Sequence, residues 1–437
     1  MFPVFAIPRT MRAVVYRGVN DLRVETVPVP RLAAGELLVK VAVCGVCPTD
    51  IKKIRHGTVP PPRIFGHETA GTIVRIGPAN SQFGLRLGDR VALHHHVPCL
   101  DCHFCRHASF AQCATYKRTG ITAGFEPAGG GYAEYVRVMP FVLPGVVKIP
   151  AKNSFAEGAM LEPVNTVLKA VRRLNLLRGD VVLVAGQGPI GLMFTRLLQL
   201  AGARVLATDL LESRLRLARK FGAKWTFLGR EGPPGRPSKK THEATRPNPG
   251  RDAPPGRPSE LSTFVSRLSV SLDAAIITVP SDEIVYDTLQ LVRGGGQVLL
   301  FAHTKRAGGR WQMADGREVP SPAGAGEGAR RAVEGCGGKN KSGGQGEVAI
   351  STNSQLQSPN SQMDLASICL DEKDLIGSYS SDFTLQAEVS RLVFSRRLDV
   401  RPLITHYFPL DQTASAIALA ARPASDSLKV MVQAGAG

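Results

Sequence analysis

The chain has 437 residues, 43% of them hydrophobic, and a formal net charge of +18 at pH 7, enough apolar material for a sizeable core in two or three domains. A charge of this size would suggest nucleic acid, but the basic residues are scattered among prolines and glycines, with no interleaved aromatic platform and no recognition motif, so no specific nucleic-acid partner is expected. The longest apolar runs, such as Val181 to Ala185, have strand length, far below the roughly 20 residues of a bilayer helix, and Met1 to Arg12 lack the apolar stretch of a signal peptide; the expectation is a cytoplasmic protein with no membrane partner.

From Met11 to about Pro150, short alternating or β-branched runs (Arg12 to Tyr16, Glu36 to Val43, Gly71 to Ile76, Asp89 to Leu93, Ala133 to Val138) are separated by glycine and proline. That pattern predicts a partly closed, barrel-like β domain. Six of the eight cysteines fall in this region at metal-type spacings, which fits a reducing compartment better than scattered disulfides do. Cys336 and Cys369 stand apart, one read as an exposed loop thiol and one as a small apolar residue.

Cys99, Cys102, Cys105 and Cys113 follow the pattern C-x2-C-x2-C-x7-C. Four thiolates fill the positions of tetrahedral zinc and leave none open, so this lobe reads as a structural zinc site. An open zinc site instead uses three protein ligands of cysteine, histidine and carboxylate type. Cys47, His67 and a carboxylate supply that set, the carboxylate being Glu68 or Glu162; the sequence leaves open which of the two is the direct ligand. Zinc as a Lewis acid lowers the pKa of an alcohol hydroxyl, so hydride can leave its carbon, and Thr49, two residues past Cys47, is placed to accept the hydroxyl proton. His94, His95 and His96 do not form a third site, because neighbours on a strand alternate faces. His56 and His406 read as structural.

From Val164 the period changes. A helical stretch to Leu177, a buried strand Val181 to Ala185, a helix Ile190 to Ala201 and a strand Arg204 to Thr208 predict a parallel sheet wound with helices. The alternation continues through a helix Glu212 to Phe221, strands near Trp225 to Leu228, Ala274 to Val279 and Gln297 to Ala302, and helices near Leu261 to Ser269 and Ile284 to Val292. Between the first strand and helix lie Gly186, Gly188, Pro189, Ile190 and Gly191, a G-x-G-x-x-G in the context a dinucleotide pyrophosphate requires. Asp209 ends the second strand, placed to bind the adenosine ribose hydroxyls and repel a 2'-phosphate, which favours NAD over NADP. Arg214 lies one helical turn further on, either against the adenine or in solvent. The stretches 230–259 and 305–363, rich in Pro, Gly and polar residues, read as disordered insertions. A strand Asp374 to Ser380, a helix Leu385 to Phe394, and a strand and helix within Arg401 to Val432 complete the chain.

Taken together, Cys47-Pro48-Thr49-Asp50, Gly66-His67-Glu68, the four-cysteine lobe, the run Glu157 to Pro163, the glycine turn with Asp209, and Pro402 to His406 followed by Phe408-Pro409-Leu410 resemble the zinc-containing medium-chain dehydrogenases of the alcohol dehydrogenase superfamily. Glu162-Pro163 resembles the sorbitol (polyol) and threonine branch. The resemblance implies an α/β protein with a GroES-like, β-rich catalytic domain at 1–165 and 378–437, and a Rossmann doubly wound parallel-sheet domain at 166–377. It further implies two zincs per chain, one catalytic and one structural, NAD as coenzyme, a small-molecule alcohol substrate of polyol type (or, alternatively, of threonine type), and a homodimer or homotetramer. A non-catalytic binding protein of the same fold is the competing expectation. Relatives commonly carry a proton-relaying histidine near Lys52; here Lys52, His56 or solvent would have to serve.

Overall fold

The structure, a computed structural model, describes residues 6–78, 82–94, 96–117, 121–125, 129–229, 260–302, 311–312, 318–319 and 365–435. The two expected insertions, Cys336 and His95 lie outside the described residues, apart from the short antiparallel pair Trp311–Gln312 and Glu318–Val319.

The Leu37–Gly45 strand organises the first half of the molecule. Leu37, Leu38, Val39, Val41 and Val43 are all buried, as in a strand covered on both faces. It pairs antiparallel with Glu68–Ile76 on one side, and with Tyr135–Val138 and Lys429–Gln433 on the other. The resulting curled sheet runs in the order Ile404–Pro409, Lys429–Gln433, Leu37–Gly45, Glu68–Ile76, Arg90–Leu93, Val146–Lys148. The last strand is an addition to the expected strand and helix near the end of the chain: Lys429–Gln433 sits inside the sheet, and Val430, Met431 and Val432 are buried.

Two further elements differ from expectation. The Asp21–Pro28 strand, mostly exposed and so without a strong apolar signal, returns along Thr10–Gly18 through a turn in which Asn20 takes φ 57°. The Pro48–His56 helix buries only Asp50, Ile51 and Ile54, too few for a helical period to stand out, yet proline at its first turn and Gly57 in the left-handed conformation bound it. A helix expected from Val164 begins earlier: Ser154 and Glu157 form a reciprocal capping box at Phe155–Ala159, which leads into the Leu161–Val171 helix.

The second half is a six-stranded, wholly parallel sheet in the order Trp225–Leu228, Arg204–Asp209, Val181–Ala185, Leu272–Ile277, Val292–Leu300, Asp374–Gly377. It is crossed by the helices Pro189–Leu200, Glu212–Lys220, Glu260–Arg267 and Asp282–Leu291. This is the doubly wound arrangement, whose ligand crevice lies at the carboxyl ends of the strands. Val43, Ala70, Ala92 and Met431 of the antiparallel sheet share one apolar cluster with Val182, Val184 and Ile276 of the parallel sheet, so the two halves are packed through the intervening helices. Among the described residues no helix is long and apolar enough to cross a membrane.

Candidate active site and metal centres

Cys47 follows Leu37–Gly45 in extended conformation (φ −106°, ψ 140°) and occupies the N-cap position of the Pro48–His56 helix. Thr49 Oγ1 lies 2.7 Å from that sulfur. His67 immediately precedes the Glu68–Ile76 strand and follows Gly66 (φ +97°); a Cβ on Gly66 would lie 2.8 Å from Cys44 Sγ and 2.9 Å from Tyr132 N, so only glycine allows this approach. One donor atom each from Cys47, His67 and Glu68 lies within 4.8 Å of the others. This set fits zinc: a soft sulfur, an imidazole and a carboxylate converge, three donors where a tetrahedral ion takes four.

Glu162, the alternative carboxylate, is buried in the first turn of Leu161–Val171 and is not part of that three-residue set. Burial pushes its carboxyl up to about 7, a shift that nearby His67 opposes and Glu68 reinforces. Glu157, in the same run, belongs to the capping box and accepts from Asn153 and Arg396, a structural placement.

Two residues complete the centre that pattern reading did not single out. Asp50, 1% exposed, contacts His67 Nδ1 through Oδ1 at 3.1 Å. Burial would lower the His67 pKa, but the charges of Asp50 and Cys47 outweigh it and raise the pKa well above the ordinary value. Oriented by its Nδ1 contact, the ring keeps the other nitrogen for a metal. Lys429, from the late strand, donates to Glu68 Oε1 at 2.6 Å and also touches Oε2. Burial acts to strip its proton, yet the charges of Glu68 and Cys47 hold the pKa above normal, so it stays an ammonium. Asp50 was visible as the last residue of the Cys47-Pro48-Thr49-Asp50 motif; Lys429 carried no local signal, because only the sheet brings it to Glu68. Lys52 and His56 are exposed.

In the lobe, Cys99 and Cys105 sulfurs are 3.9 Å apart, Cys102 and Cys105 3.5 Å, and Cys113 and Cys99 3.7 Å. Sulfurs held about 2.3 Å from a shared zinc at tetrahedral angles lie roughly 3.8 Å apart, whereas a disulfide needs about 2.05 Å. The four residues therefore fit one zinc. Burial works against ionising Cys113, but backbone donors from Cys99 and Tyr116 bring it down to about 6. The histidine run holds no third site among the described residues: His94 Nε2 contacts Ser381 Oγ at 3.3 Å, and His96 donates from Nδ1 to the Tyr116 carbonyl at 3.1 Å.

At the glycine turn, Gly186 has φ +90°, and a Cβ on Gly191 would sit 1.8 Å from Gly186 O, so the third glycine lets helix meet strand. A Cβ on Gly188 would meet nothing within 4 Å, and Gly188 caps the Pro189–Leu200 helix. That open space at a helix N-terminus is the cradle a pyrophosphate needs. Ile190 packs beside the central core. Asp209 already accepts from the Gln187 amide at 2.6 Å and the Leu211 amide at 2.9 Å, and the Arg214 guanidinium lies 3.8 Å from its Oδ2. Arg214 is thus drawn in toward Asp209, 19% exposed, and does not extend into solvent.

Residues 33–151 match the alcohol dehydrogenase GroES-like domain. Sorbitol dehydrogenase of Bombyx mori is 32% identical over 224 residues, which cover 50% of this chain and 62% of that protein; sorbitol dehydrogenase of Bacillus subtilis is 32% identical over 223 residues, 50% of this chain and 61% of that protein. The matched stretch thus spans about three fifths of these relatives' length. In fold, the chain is similar to a short chain alcohol dehydrogenase of Escherichia coli complexed with NADH, with TM-score 0.70, 20% identity, and 98% and 100% of the two chains covered. It is also similar to galactitol-1-phosphate dehydrogenase of Escherichia coli, with TM-score 0.67, 22% identity, and 97% and 100% covered. By domain match the chain carries an alcohol dehydrogenase GroES-like domain at residues 33–151, and over about half its length it is similar to sorbitol dehydrogenases.

Proposed function

We propose that the protein is a zinc- and NAD-dependent dehydrogenase that oxidises a secondary alcohol of a polyol-like small molecule to a ketone, with release of NADH and one proton. The convergence of Cys47, His67 and Glu68 carries this reading; a chain freed from catalysis has no need for an incomplete, open donor set beside a dinucleotide turn. Cys47, His67 and Glu68 would hold the catalytic zinc, and Cys99, Cys102, Cys105 and Cys113 the structural one. Bound zinc supplies Lewis acidity that makes an alcohol hydroxyl a stronger acid.

The chain's own groups do the rest. Thr49 Oγ1, 2.7 Å from Cys47 Sγ, takes the hydroxyl proton and passes it outward, completing a general-base path. Asp50 fixes the His67 ring, and Lys429 balances the buried Glu68 charge. Glu162, its carboxyl near 7, stands beside the donor set as a buried group that can hold or release a proton. Gly186, Gly188 and Gly191 with the helix N-terminus receive the pyrophosphate, and Asp209 faces the adenosine ribose, which supports NAD over NADP. Sorbitol dehydrogenases among the relatives support a polyol substrate. The thiolate ligands support a reducing, cytoplasmic setting, and the family resemblance implies a homodimer or homotetramer, readable by light scattering.

The decisive experiment is a panel of sugar alcohols, threonine and simple alcohols with NAD and NADP on protein whose zinc has been quantified. The expected result is about two zincs per chain and chelator-sensitive NADH formation, fastest on polyols. Threonine as the best substrate would move the assignment to the amino-alcohol side, and no turnover by two-zinc protein would overturn it.

A further inference from the structure

Tyr116 belongs to the small apolar core of the cysteine lobe, with Cys105, Ala111 and Cys113, yet its carbonyl, ring and hydroxyl contacts lead out of the lobe. Its amide donates to the Cys113 sulfur. Its carbonyl accepts from His96 Nδ1 at 3.1 Å, and its ring stacks on the His96 ring with centroids 4.7 Å apart at 12°. Because a carbonyl can only accept, that bond fixes His96 in the Nδ1-protonated tautomer. The His96 ring centroid lies 6.4 Å from that of His67, so it forms part of the wall of the catalytic donor set.

The hydroxyl reaches the other half of the molecule. It accepts from the Ser381 amide at 3.0 Å and lies 3.0 Å from Ser381 O, 2.9 Å from Ser381 Oγ and 2.7 Å from Ser380 Oγ. Ser380 has φ +61°, an uncommon conformation for a residue with a side chain, and Ser381 is fully buried. These two serines leave the carboxyl end of the Asp374–Gly377 strand, the end at which a doubly wound sheet binds its ligand. His94 Nε2 and the T-shaped Phe110–Phe383 pair, 5.9 Å between centroids, close the same seam.

We infer that Tyr116 is a positioning residue that couples the four-cysteine lobe to both the catalytic wall and the coenzyme crevice, so that an ordered lobe is what holds the Ser378–Asp382 segment in its NAD-binding conformation. This rests on the dehydrogenase reading given above. A single residue thereby gives the closed zinc site a role at the open one: it orders the Cys113 sulfur to which the Tyr116 amide donates, and Tyr116 carries that order 264 and 265 residues along the chain to Ser380 and Ser381.

The test is Tyr116→Phe, which keeps the ring, the stack and both backbone bonds and removes only the hydroxyl. NAD affinity is measured by calorimetry without alcohol, alongside zinc content and steady-state KM values. The expected result is unchanged zinc at about two per chain, a tenfold or greater loss of NAD affinity, the same rise in KM for NAD, and a KM for the alcohol within about threefold of the parent. Unchanged NAD affinity would overturn the inference. If Tyr116→Phe loses zinc or fails to fold, Ser381→Ala, which spares the lobe, decides instead: a weaker but clear loss of NAD affinity supports the coupling, and parental affinity rejects it. Failure of the parent protein to bind NAD at all would strike the dehydrogenase reading and not the coupling.

Discussion

Lys429 and Glu68 form a buried pair at the donor set of Cys47, His67 and Glu68, 6% and 1% exposed. Removing one member of such a pair leaves an uncompensated charge, at a cost of about 3–5 kcal/mol. Lys429→Ala should therefore lower the urea midpoint sharply in metal-stripped protein and much less in zinc-loaded protein, where a cation remains beside Glu68. Equal losses in the two forms would show that Glu68 does not face the metal. His94 gives a pH prediction. Burial holds its pKa at about 4, below the ordinary 6.5, so the unfolded chain takes up the proton first as pH falls. The stabilising contribution is complete above about pH 6.5 and is lost as pH drops through about 4; 2.5 units correspond to about 3 kcal/mol. Urea titrations across that window should show a shallower fall for His94→Gln than for the parent. The sequence made Cys47, His67, Glu68 and the four lobe cysteines legible because metal donors are rare residue types at fixed spacings. Lys429 was hidden, since a lysine near the end of a chain says nothing until the sheet pairs it with residue 68.

At the scale of elements, the glycine turn separates what the backbone requires from what the ligand requires. Gly191→Ala places a methyl 1.8 Å from Gly186 O, a contact that must force the Pro189–Leu200 helix off the Val181–Ala185 strand. It should cost at least as much as an overpacked core position, about 1–3 kcal/mol, and it should weaken NAD binding as well. Gly188→Ala meets nothing in the protein, so its melting temperature should stay within a few degrees of the parent while NAD affinity falls at least tenfold. A stable Gly188→Ala with parental NAD affinity would move the pyrophosphate away from this turn. Leu272–Ile277 and Val292–Leu300 begin two and five residues before the expected starts at Ala274 and Gln297, whereas Val181–Ala185 was legible at its observed bounds, because a fully buried parallel strand is a short unbroken apolar run. The helix Pro48–His56 and the strand Asp21–Pro28 were not, because each buries so few residues that neither period emerges.

At the scale of the whole molecule, the antiparallel sheet is assembled from chain segments nearly 400 residues apart. Met431, Val432 and Gln433 pair with Gly45, Cys44 and Val43, in the interior of the sheet and in a segment that ends two residues before Cys47. Val430, Met431 and Val432 are each no more than 1% exposed, and burying side chains of this size contributes about 1.5–3 kcal/mol each. Together, roughly 5–9 kcal/mol rests on one short strand, comparable with the whole stability of an ordinary domain. Ending the chain after Ala424 would also bare the Val43–Gly45 end of the Leu37–Gly45 strand, leaving its amides and carbonyls unpaired on that side and open to edge-to-edge association. Such a truncated chain should aggregate or unfold without a cooperative transition, and should lose catalytic zinc although Cys47, His67 and Glu68 are all retained. Size-exclusion chromatography, circular dichroism melts and zinc quantification test this together. A monodisperse truncated protein that melts cooperatively and keeps two zincs would mean that the terminal strand decorates the sheet; the register, with Met431 opposite Gly45 and Lys429 against Glu68, argues that the last strand closes the fold and the active site in one step.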